Sequence, residues 1–138
     1  MTYRGPKKGG VMLSRDATQK ARLDYYFILL EKYQYDVKRV EFDVGMPGHK
    51  DSIKADIVLY KDDDKEIPYL VVDCKEAGIS DALFERSARQ VIAKALMLKA
   101  PYALFVSGAR KRIVKLEKTS GGDVKQLRIS EIPVDYGK

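Results

Sequence analysis

Apolar residues recur at three- and four-residue intervals between Ala17 and Tyr33, which predicts a helix with one buried face. The residues that would form this face are Leu23, Phe27, Leu30 and Tyr33. Residues 38–44 alternate instead, with valine and phenylalanine on one side and charged residues on the other. This alternation predicts a half-buried strand soon after the helix.

Two more strands and a long helix follow. Residues 45–51 contain proline and glycine and predict a loop, whereas residues 55–60 and 68–75 predict strands joined by an acidic turn. Ser80 or Asp81 can cap a helix that reaches about Lys99 before a proline ends it. The buried face of this helix would consist of Phe84, Ala88, Val91, Ala95 and Leu98.

The last third of the chain predicts only strands. Residues 102–108 are apolar and short enough for a central strand, and residues 112–118 and 124–132 predict a hairpin around a glycine-containing loop. The pattern therefore predicts a single α/β domain over residues 1–138: helix, three antiparallel strands, helix, strand and C-terminal hairpin. Residues 1–10 carry three glycines and three basic side chains, and we expect a flexible basic arm there.

The composition is that of a soluble globular protein, with 45% hydrophobic and 33% charged residues. The single cysteine excludes a disulfide within the chain, and no apolar run approaches the ~20 residues of a membrane span. The first residues lack the apolar core of a signal peptide, so we expect a cytoplasmic location without membrane contact.

The positive charge is concentrated in one segment. The chain carries a net charge of +6, and residues 84–118 alone hold nine basic and two acidic side chains. A patch of one sign attracts a polyanion, which makes nucleic acid the first partner to consider. The alternative is a solvated basic surface without a partner.

The hairpin formed by residues 55–60 and 68–75 contains the most informative pattern. If its centre lies in the middle of the connection, Tyr60 faces Tyr69, Val58 faces Val71 and Asp56 faces Asp73. Directly opposed residues have Cβ atoms about 5 Å apart, and two carboxylates at that distance beside apolar neighbours repel each other. A divalent cation shared by Asp56 and Asp73 would remove this repulsion.

A lysine lies next to this pair. Strand alternation places Lys75 on the same face as Asp73, and it turns Cys74 into the core. Two carboxylates and an ammonium group suit metal-assisted phosphodiester hydrolysis, in which the lysine orients or deprotonates the attacking water. The alternative is an ordinary Asp–Lys surface pair at a hairpin end.

These residues resemble a known family. ADIVLY (55–60) followed by VVDCK (71–75) is similar to the PD-(D/E)xK nuclease signature, in which an acid precedes an acid-x-Lys triplet on the next strand. Over residues 20–108 the chain resembles more closely the N-terminal nuclease domain of the motor (R) subunit of type I restriction enzymes. The resemblance implies a restriction-endonuclease-like core. Two residues depart from the signature: Ala55 replaces its proline, and Asp73 replaces the commoner glutamate.

The resemblance also implies roles for particular residues. Asp56 and Asp73 would bind Mg²⁺, or Mn²⁺ as a substitute, together with the main-chain carbonyl of Cys74. Lys75 would be the catalytic lysine, and Gln90 matches a glutamine near the active site. Such nucleases usually carry a further acid on the first helix, for which Asp24 is the first candidate and Glu31 the alternative. Glu41, on the strand that follows this helix, is a weaker candidate, because an exposed strand face also explains it.

We therefore expect a Mg²⁺-dependent endonuclease domain that binds and cuts double-stranded DNA. One alternative is a DNA-binding module of the same fold that does not cut. Another is a free-standing repair nuclease or junction resolvase. A type I motor subunit would need a helicase (translocase) region after residue 138, and its partners would include specificity and methylation subunits.

Overall fold

The computed structural model describes the main chain of residues 13–137 and, within this range, all side chains except those of residues 13–18, 50 and 51. The basic arm expected at residues 1–10 lies outside the described residues. Two α-helices are present in the described part, α1 (Leu13–Glu31) and α2 (Asp81–Leu98). The strands are β1 (Val40–Met46), β2 (His49–Tyr60), β3 (Pro68–Lys75), β4 (Tyr102–Ser107), β5 (Arg110–Lys118) and β6 (Val124–Ile129). Neither helix is long and apolar enough to cross a membrane.

The six strands form one mixed sheet in the order β1-β2-β3-β4-β5-β6. Strands β3 and β4 are parallel, and every other neighbouring pair is antiparallel. A parallel pair needs a long crossover connection, which α2 provides between β3 and β4. The predicted α/β class, the order of elements and the C-terminal hairpin are thus confirmed.

The two helices cover opposite faces of the sheet. Successive side chains of a strand point to opposite faces, so neighbouring residues of β3 enter different cores. Leu70 and Val72 pack with α1, whereas Val71 packs with α2. Because both faces are covered, β3 is buried along most of its length and forms the centre of the domain.

The boundaries of β3 and α2 agree with the sequence pattern. The side chain of Ser80 accepts a hydrogen bond from the main-chain N–H of Leu83, so Ser80 caps α2. The prediction of a loop over residues 45–51 is wrong. Strand β1 continues to Met46 and β2 begins at His49, so only Pro47 and Gly48 lie between the two strands. Proline fixes its own φ, and Gly48 has a φ of +79°, so two residues are enough for the turn.

The buried face of α1 differs from the predicted one. Tyr25 and Leu29 are buried in place of Phe27, whose side chain is exposed. Tyr33, just after the end of α1, is buried as predicted. The helix also begins at Leu13, four residues before the predicted start. Residues 25–30 are all apolar, so periodicity could not determine which side packs against the sheet.

The predicted register of the β2–β3 hairpin is correct in its centre and wrong next to the turn. Val58 pairs with Val71 as predicted, but Tyr60 pairs with Pro68 instead of Tyr69. The register shifts between Leu59 and Tyr60, where the proline has no N–H to donate to the ladder. The shift lies on the turn side of the hairpin and leaves the pairing near the aspartates unchanged.

Candidate functional site

A cavity of about 110 Å³ lies where the end of β3 meets β2 and α2. Its lining contains the five residues to which the sequence assigned catalytic or metal-binding roles: Asp56, Asp73, Cys74, Lys75 and Gln90. Ser87, Lys94 and Phe105 complete the lining. The structure therefore brings these five residues together, and their roles stay predictions. Asp24, Glu31 and Glu41 are not part of this lining.

Asp56 and Asp73 lie across from each other on adjacent antiparallel strands. The last ladder pair before them is Ile57 with Val72. Beyond that pair, the main-chain N–H of Asp56 donates to Asp73 Oδ1 at 3.0 Å, and the N–H of Cys74 donates to Asp56 Oδ2 at 2.8 Å. The main chain of each strand thus orients the carboxylate of the other strand and leaves one oxygen of each carboxylate for another partner.

A cation faces each of these remaining oxygens. Lys94 Nζ lies 2.6 Å from Asp73 Oδ2, and both side chains are mostly buried. Arg22 Nη1 lies 3.8 Å from Asp56 Oδ1. These cations come from α2 and α1, one on each side of the carboxylate pair.

Sequence reasoning missed Arg22 and misplaced Lys94. The four-residue spacing of Arg86, Gln90 and Lys94 predicts that all three lie on one polar, cationic face of α2, where they would contact DNA. The spacing placed Gln90 and Lys94 together correctly, but only the packing of α2 shows that Lys94 faces Asp73. Nothing in the spacing of α1 identified Arg22.

A third aspartate belongs to the same row. Phe42 pairs with Ile57 and Val44 pairs with Ala55, so Asp43 lies across from Asp56. Arg22 contacts Asp43 Oδ1 at 2.6 Å and thereby links β1 to the candidate site. Asp43 has a φ of +54°, which is uncommon for a residue other than glycine and marks an irregular point in the strand.

Burial and repulsion both act on the carboxyl group of Asp56. Burial raises the pKa of Asp56, and the negative charge of Asp73 raises it further, although the N–H of Cys74 and the charge of Arg22 oppose this shift. A positive charge placed between the two side chains would therefore favour the ionised form of Asp56. Burial also raises the pKa of the Cys74 thiol, so the thiol stays protonated and is unsuited to metal binding.

Lys75 and Gln90 line the cavity without a defined partner. Lys75 is partly buried, and its side chain makes neither a hydrogen bond nor an ion pair with any described residue. Gln90 is exposed on the same side of α2 as Lys94. Both side chains are therefore available to a molecule that enters the cavity.

Ser87 adds a buried hydroxyl without a partner. Its side chain is 3% exposed, and its Oγ finds no hydrogen-bond partner in the described part of the chain. Buried polar atoms are nearly always hydrogen-bonded, so this hydroxyl can serve as a partner for a water or a ligand in the cavity.

Asp56 and Asp73 are the kind of donors to which Mg²⁺ binds. Among the residues whose side chains are described, no cluster of three or more histidine, cysteine, aspartate or glutamate residues could hold a metal ion. Mg²⁺ does not need such a cluster, because it keeps several waters and usually binds through one or two carboxylates and a substrate phosphate. Asp56 and Asp73 provide two carboxylates, and Ser87 offers a hydroxyl to a bound water.

The further acid expected from α1 is not at the site. Asp24 is exposed and pairs with Lys20 at 3.1 Å. Residues two apart on a helix lie roughly 200° from each other, so the orientation that turns Arg22 toward Asp56 turns Asp24 away. Glu31 is exposed at the end of α1, and Glu41 accepts a hydrogen bond from Tyr60 at 3.3 Å.

Much of the basic charge in residues 84–118 is neutralised locally. Arg112 forms two hydrogen bonds with Glu85, at 2.8 and 2.9 Å, and Arg110 pairs with Asp81 at 3.2 Å. Arg86 and Arg89 are exposed on α2 and form no ion pair with a described residue. The basic surface available to a polyanion therefore lies mainly along α2, beside the cavity.

The chain matches a known family over most of its length. A family model described as Type I restriction enzyme R protein N terminus (HSDR_N) matches residues 18–133. No curated protein and no solved structure matches the chain. The family match includes both helices apart from the start of α1, all six strands and the whole candidate site. The chain belongs to the family of N-terminal domains of type I restriction enzyme R proteins.

Proposed function

We propose that this domain is a Mg²⁺-dependent endonuclease with a restriction-endonuclease-like core, and that it cuts the backbone of double-stranded DNA. The observation that carries the proposal is the cavity shared by Asp56, Asp73 and Lys75. Main-chain hydrogen bonds hold the two carboxylates opposite each other at the end of a central strand, and the side chain of Lys75 beside them has no partner among the described residues. The same three groups suit phosphodiester hydrolysis.

The residues would divide the work as follows. Asp56, Asp73 and the main-chain carbonyl of Cys74 would hold the metal ion, which when bound polarises the scissile phosphate as a Lewis acid. Lys75 would orient the attacking water or accept its proton, and Gln90 would help to position the DNA backbone. Mn²⁺ prefers the same oxygen ligands and would substitute for Mg²⁺.

The DNA would approach along α2. Arg86 and Arg89 lie on the exposed part of this helix and would contact backbone phosphates near the cavity. As part of an R protein, the domain would work with a translocase region and with the specificity and methylation subunits of the restriction enzyme.

A second candidate is a DNA-binding module of the same fold that does not cut. The ion pair between Lys94 and Asp73 favours this alternative, because an ammonium group 2.6 Å from Asp73 already supplies the positive charge that a metal would bring. A free-standing repair nuclease is the weaker alternative, since the family match is to R proteins.

Plasmid nicking in the presence of Mg²⁺ distinguishes the two main candidates. We expect the wild-type chain to nick supercoiled DNA, Asp73→Asn to lose this activity, and Asp24→Asn to keep it as a matched control outside the cavity. If the isolated domain does not cut, the same variants should be compared in the R protein with its partner subunits. Mg²⁺-dependent cutting by Asp73→Asn in that setting would overturn the proposed site.

A further inference from the structure

Lys94 is a mostly buried lysine whose ammonium group contacts a mostly buried carboxylate. Its Nζ lies 2.6 Å from Asp73 Oδ2, and its side chain is only 16% exposed while that of Asp73 is 13% exposed. A short contact between two ionised and mostly buried groups is a strong, charge-assisted hydrogen bond. Lys94 therefore occupies the one oxygen of Asp73 that the main chain leaves free.

A metal ion shared by the two aspartates would need that same oxygen. Asp73 Oδ1 already accepts the main-chain N–H of Asp56, so Oδ2 is the atom that would face the ion. An ammonium group and a divalent cation on one carboxylate oxygen repel each other. Lys94 and the metal are therefore competitors for Asp73.

We propose that Lys94 is the internal counterion of this site: it holds Asp73 in the metal-free protein and moves to a phosphate of the DNA when Mg²⁺ binds. This inference rests on the proposed function. A lysine has a flexible four-carbon stem, so its ammonium group can change partners over a few ångströms while α2 stays in place.

The charges of the site are consistent with such an exchange. Without metal, the formal charges of Asp43, Asp56 and Asp73 are matched by those of Arg22, Lys75 and Lys94, so the local charge is close to balanced. When a divalent ion takes over Asp73, the ammonium of Lys94 becomes surplus positive charge at the wall of the cavity. A phosphate group is the partner that neutralises it.

The exchange gives the two lysines of the cavity different tasks. Lys75 has no partner among the described residues and does not have to leave one before it meets water or substrate. Lys94 has to leave Asp73 first. The protein therefore keeps its carboxylate pair neutralised between encounters with metal and DNA.

Metal titration of the Lys94→Met variant tests the exchange. Methionine keeps much of the lysine stem but cannot pair with Asp73, so we expect lower thermal stability without metal and a larger rise in melting temperature with Mn²⁺ or Mg²⁺. The apparent metal affinity should increase by roughly tenfold, because the competing charge is gone. Lys118→Met is the matched control. Lys118 is exposed at the end of β5, and this end of the strand is remote from the cavity because it lies beyond the pairing of Lys115 with Tyr102.

A second variant covers the case that Lys94→Met does not fold. Lys94→Arg keeps the charge, and a guanidinium can pair with a carboxylate through two parallel hydrogen bonds. We expect this variant to fold and to bind Mn²⁺ more weakly than the wild type. Unchanged metal affinity in the Arg variant would contradict the competition.

DNA binding tests the second half of the exchange. In EDTA, the salt dependence of DNA affinity should be the same for the wild type and Lys94→Met, because Lys94 is engaged with Asp73. Ca²⁺ takes the same oxygen ligands as Mg²⁺ but polarises water less. In Ca²⁺, the slope of log DNA affinity against log salt concentration should be steeper for the wild type than for the variant by about one unit. Equal slopes in Ca²⁺ would mean that Lys94 does not reach a phosphate.

The outcomes separate this inference from the proposed function. Equal metal stabilisation of the wild type and Lys94→Met would overturn the role of Lys94 and leave the metal site standing. If neither protein is stabilised by metal, both proposals fail. Stabilisation of Lys94→Met alone would show that Lys94 blocks the site permanently, which overturns the exchange and favours the non-cutting module.

Discussion

The main-chain N–H of Asp56 donates a hydrogen bond to the carboxylate of Asp73, across the boundary between β2 and β3. With the reciprocal bond from the N–H of Cys74 to Asp56, it places both carboxylates at the mouth of one cavity. The main chain thus holds together two groups that repel each other. A metal ion would remove this repulsion, which leads to the first prediction.

Mg²⁺ or Mn²⁺ should raise the melting temperature of the wild-type chain, because an ion that binds only the folded state stabilises it by mass action. At about 100 times the dissociation constant the gain is about 2.7 kcal/mol, or roughly 5–10 °C for a domain of this size. Asp73→Asn should lose most of the rise, and Asp24→Asn should keep it. A wild-type melting curve that does not depend on metal would exclude the site.

Lys75→Arg should abolish Mg²⁺-dependent nicking and leave metal-dependent stabilisation and DNA affinity nearly unchanged. Arginine keeps its proton throughout the accessible pH range, so it cannot act as the base that lysine becomes beside a divalent ion. Lys75→Met should lose the same activity together with some DNA affinity. Wild-type cutting by Lys75→Arg in the R protein would show that this lysine is not catalytic.

Replacing Arg86 and Arg89 together with alanine should weaken DNA binding and flatten its salt dependence. In a plot of log affinity against log salt concentration, each phosphate contact contributes about −0.9 to the slope. The loss of two contacts should therefore change the slope by up to about two units. A double change of Lys118 and Lys125 to alanine removes two exposed charges from the β5–β6 hairpin and should have little effect. If the hairpin variant has the larger effect, the DNA binds at that end of the sheet.

Glu131→Gln should lower stability at neutral pH but not in acid. The hydroxyl of Tyr33 donates to Glu131, and this bond, with the nearby Lys111, lowers the pKa of the carboxyl group below its usual 4.5. A carboxyl group whose pKa is lower in the folded protein stabilises the fold at pH values above its pKa in the unfolded chain. This contribution is lost as the pH falls through the pKa of the folded protein.

Because Glu131 is largely exposed, we expect a difference below about 1 kcal/mol at pH 7, which urea unfolding at several pH values can measure. The difference should shrink as the pH falls below 4.5. Glu66→Gln, in the exposed β2–β3 turn, is the matched control. A loss of stability that is the same at pH 7 and in acid would show that charge is not the cause.

The sequence by itself determined the parts of the fold that depend on short-range periodicity. Strand β3 and helix α2 have the predicted bounds to within a residue, because a buried strand and a capped amphipathic helix leave clear local patterns. The same alternation placed Asp73 and Lys75 on one face, and the hairpin register placed Asp56 across from Asp73. Asp56, Asp73 and Lys75 were therefore predicted to lie together from the pattern alone, whereas the carbonyl of Cys74 and the side chain of Gln90 were added by the resemblance to the R-subunit family.

Tertiary packing decided what periodicity leaves ambiguous. The second half of α1, residues 25–30, is apolar on every side, so only its contact with the sheet selected Tyr25 and Leu29 for the core. The same contact turned Arg22, instead of Asp24, toward Asp56. The ion pair of Lys94 with Asp73 joins residues 21 positions apart, and it forms because α2 packs against β3. Such contacts depend on how whole elements dock, and docking is determined by the total buried surface and not by the local spacing of residues.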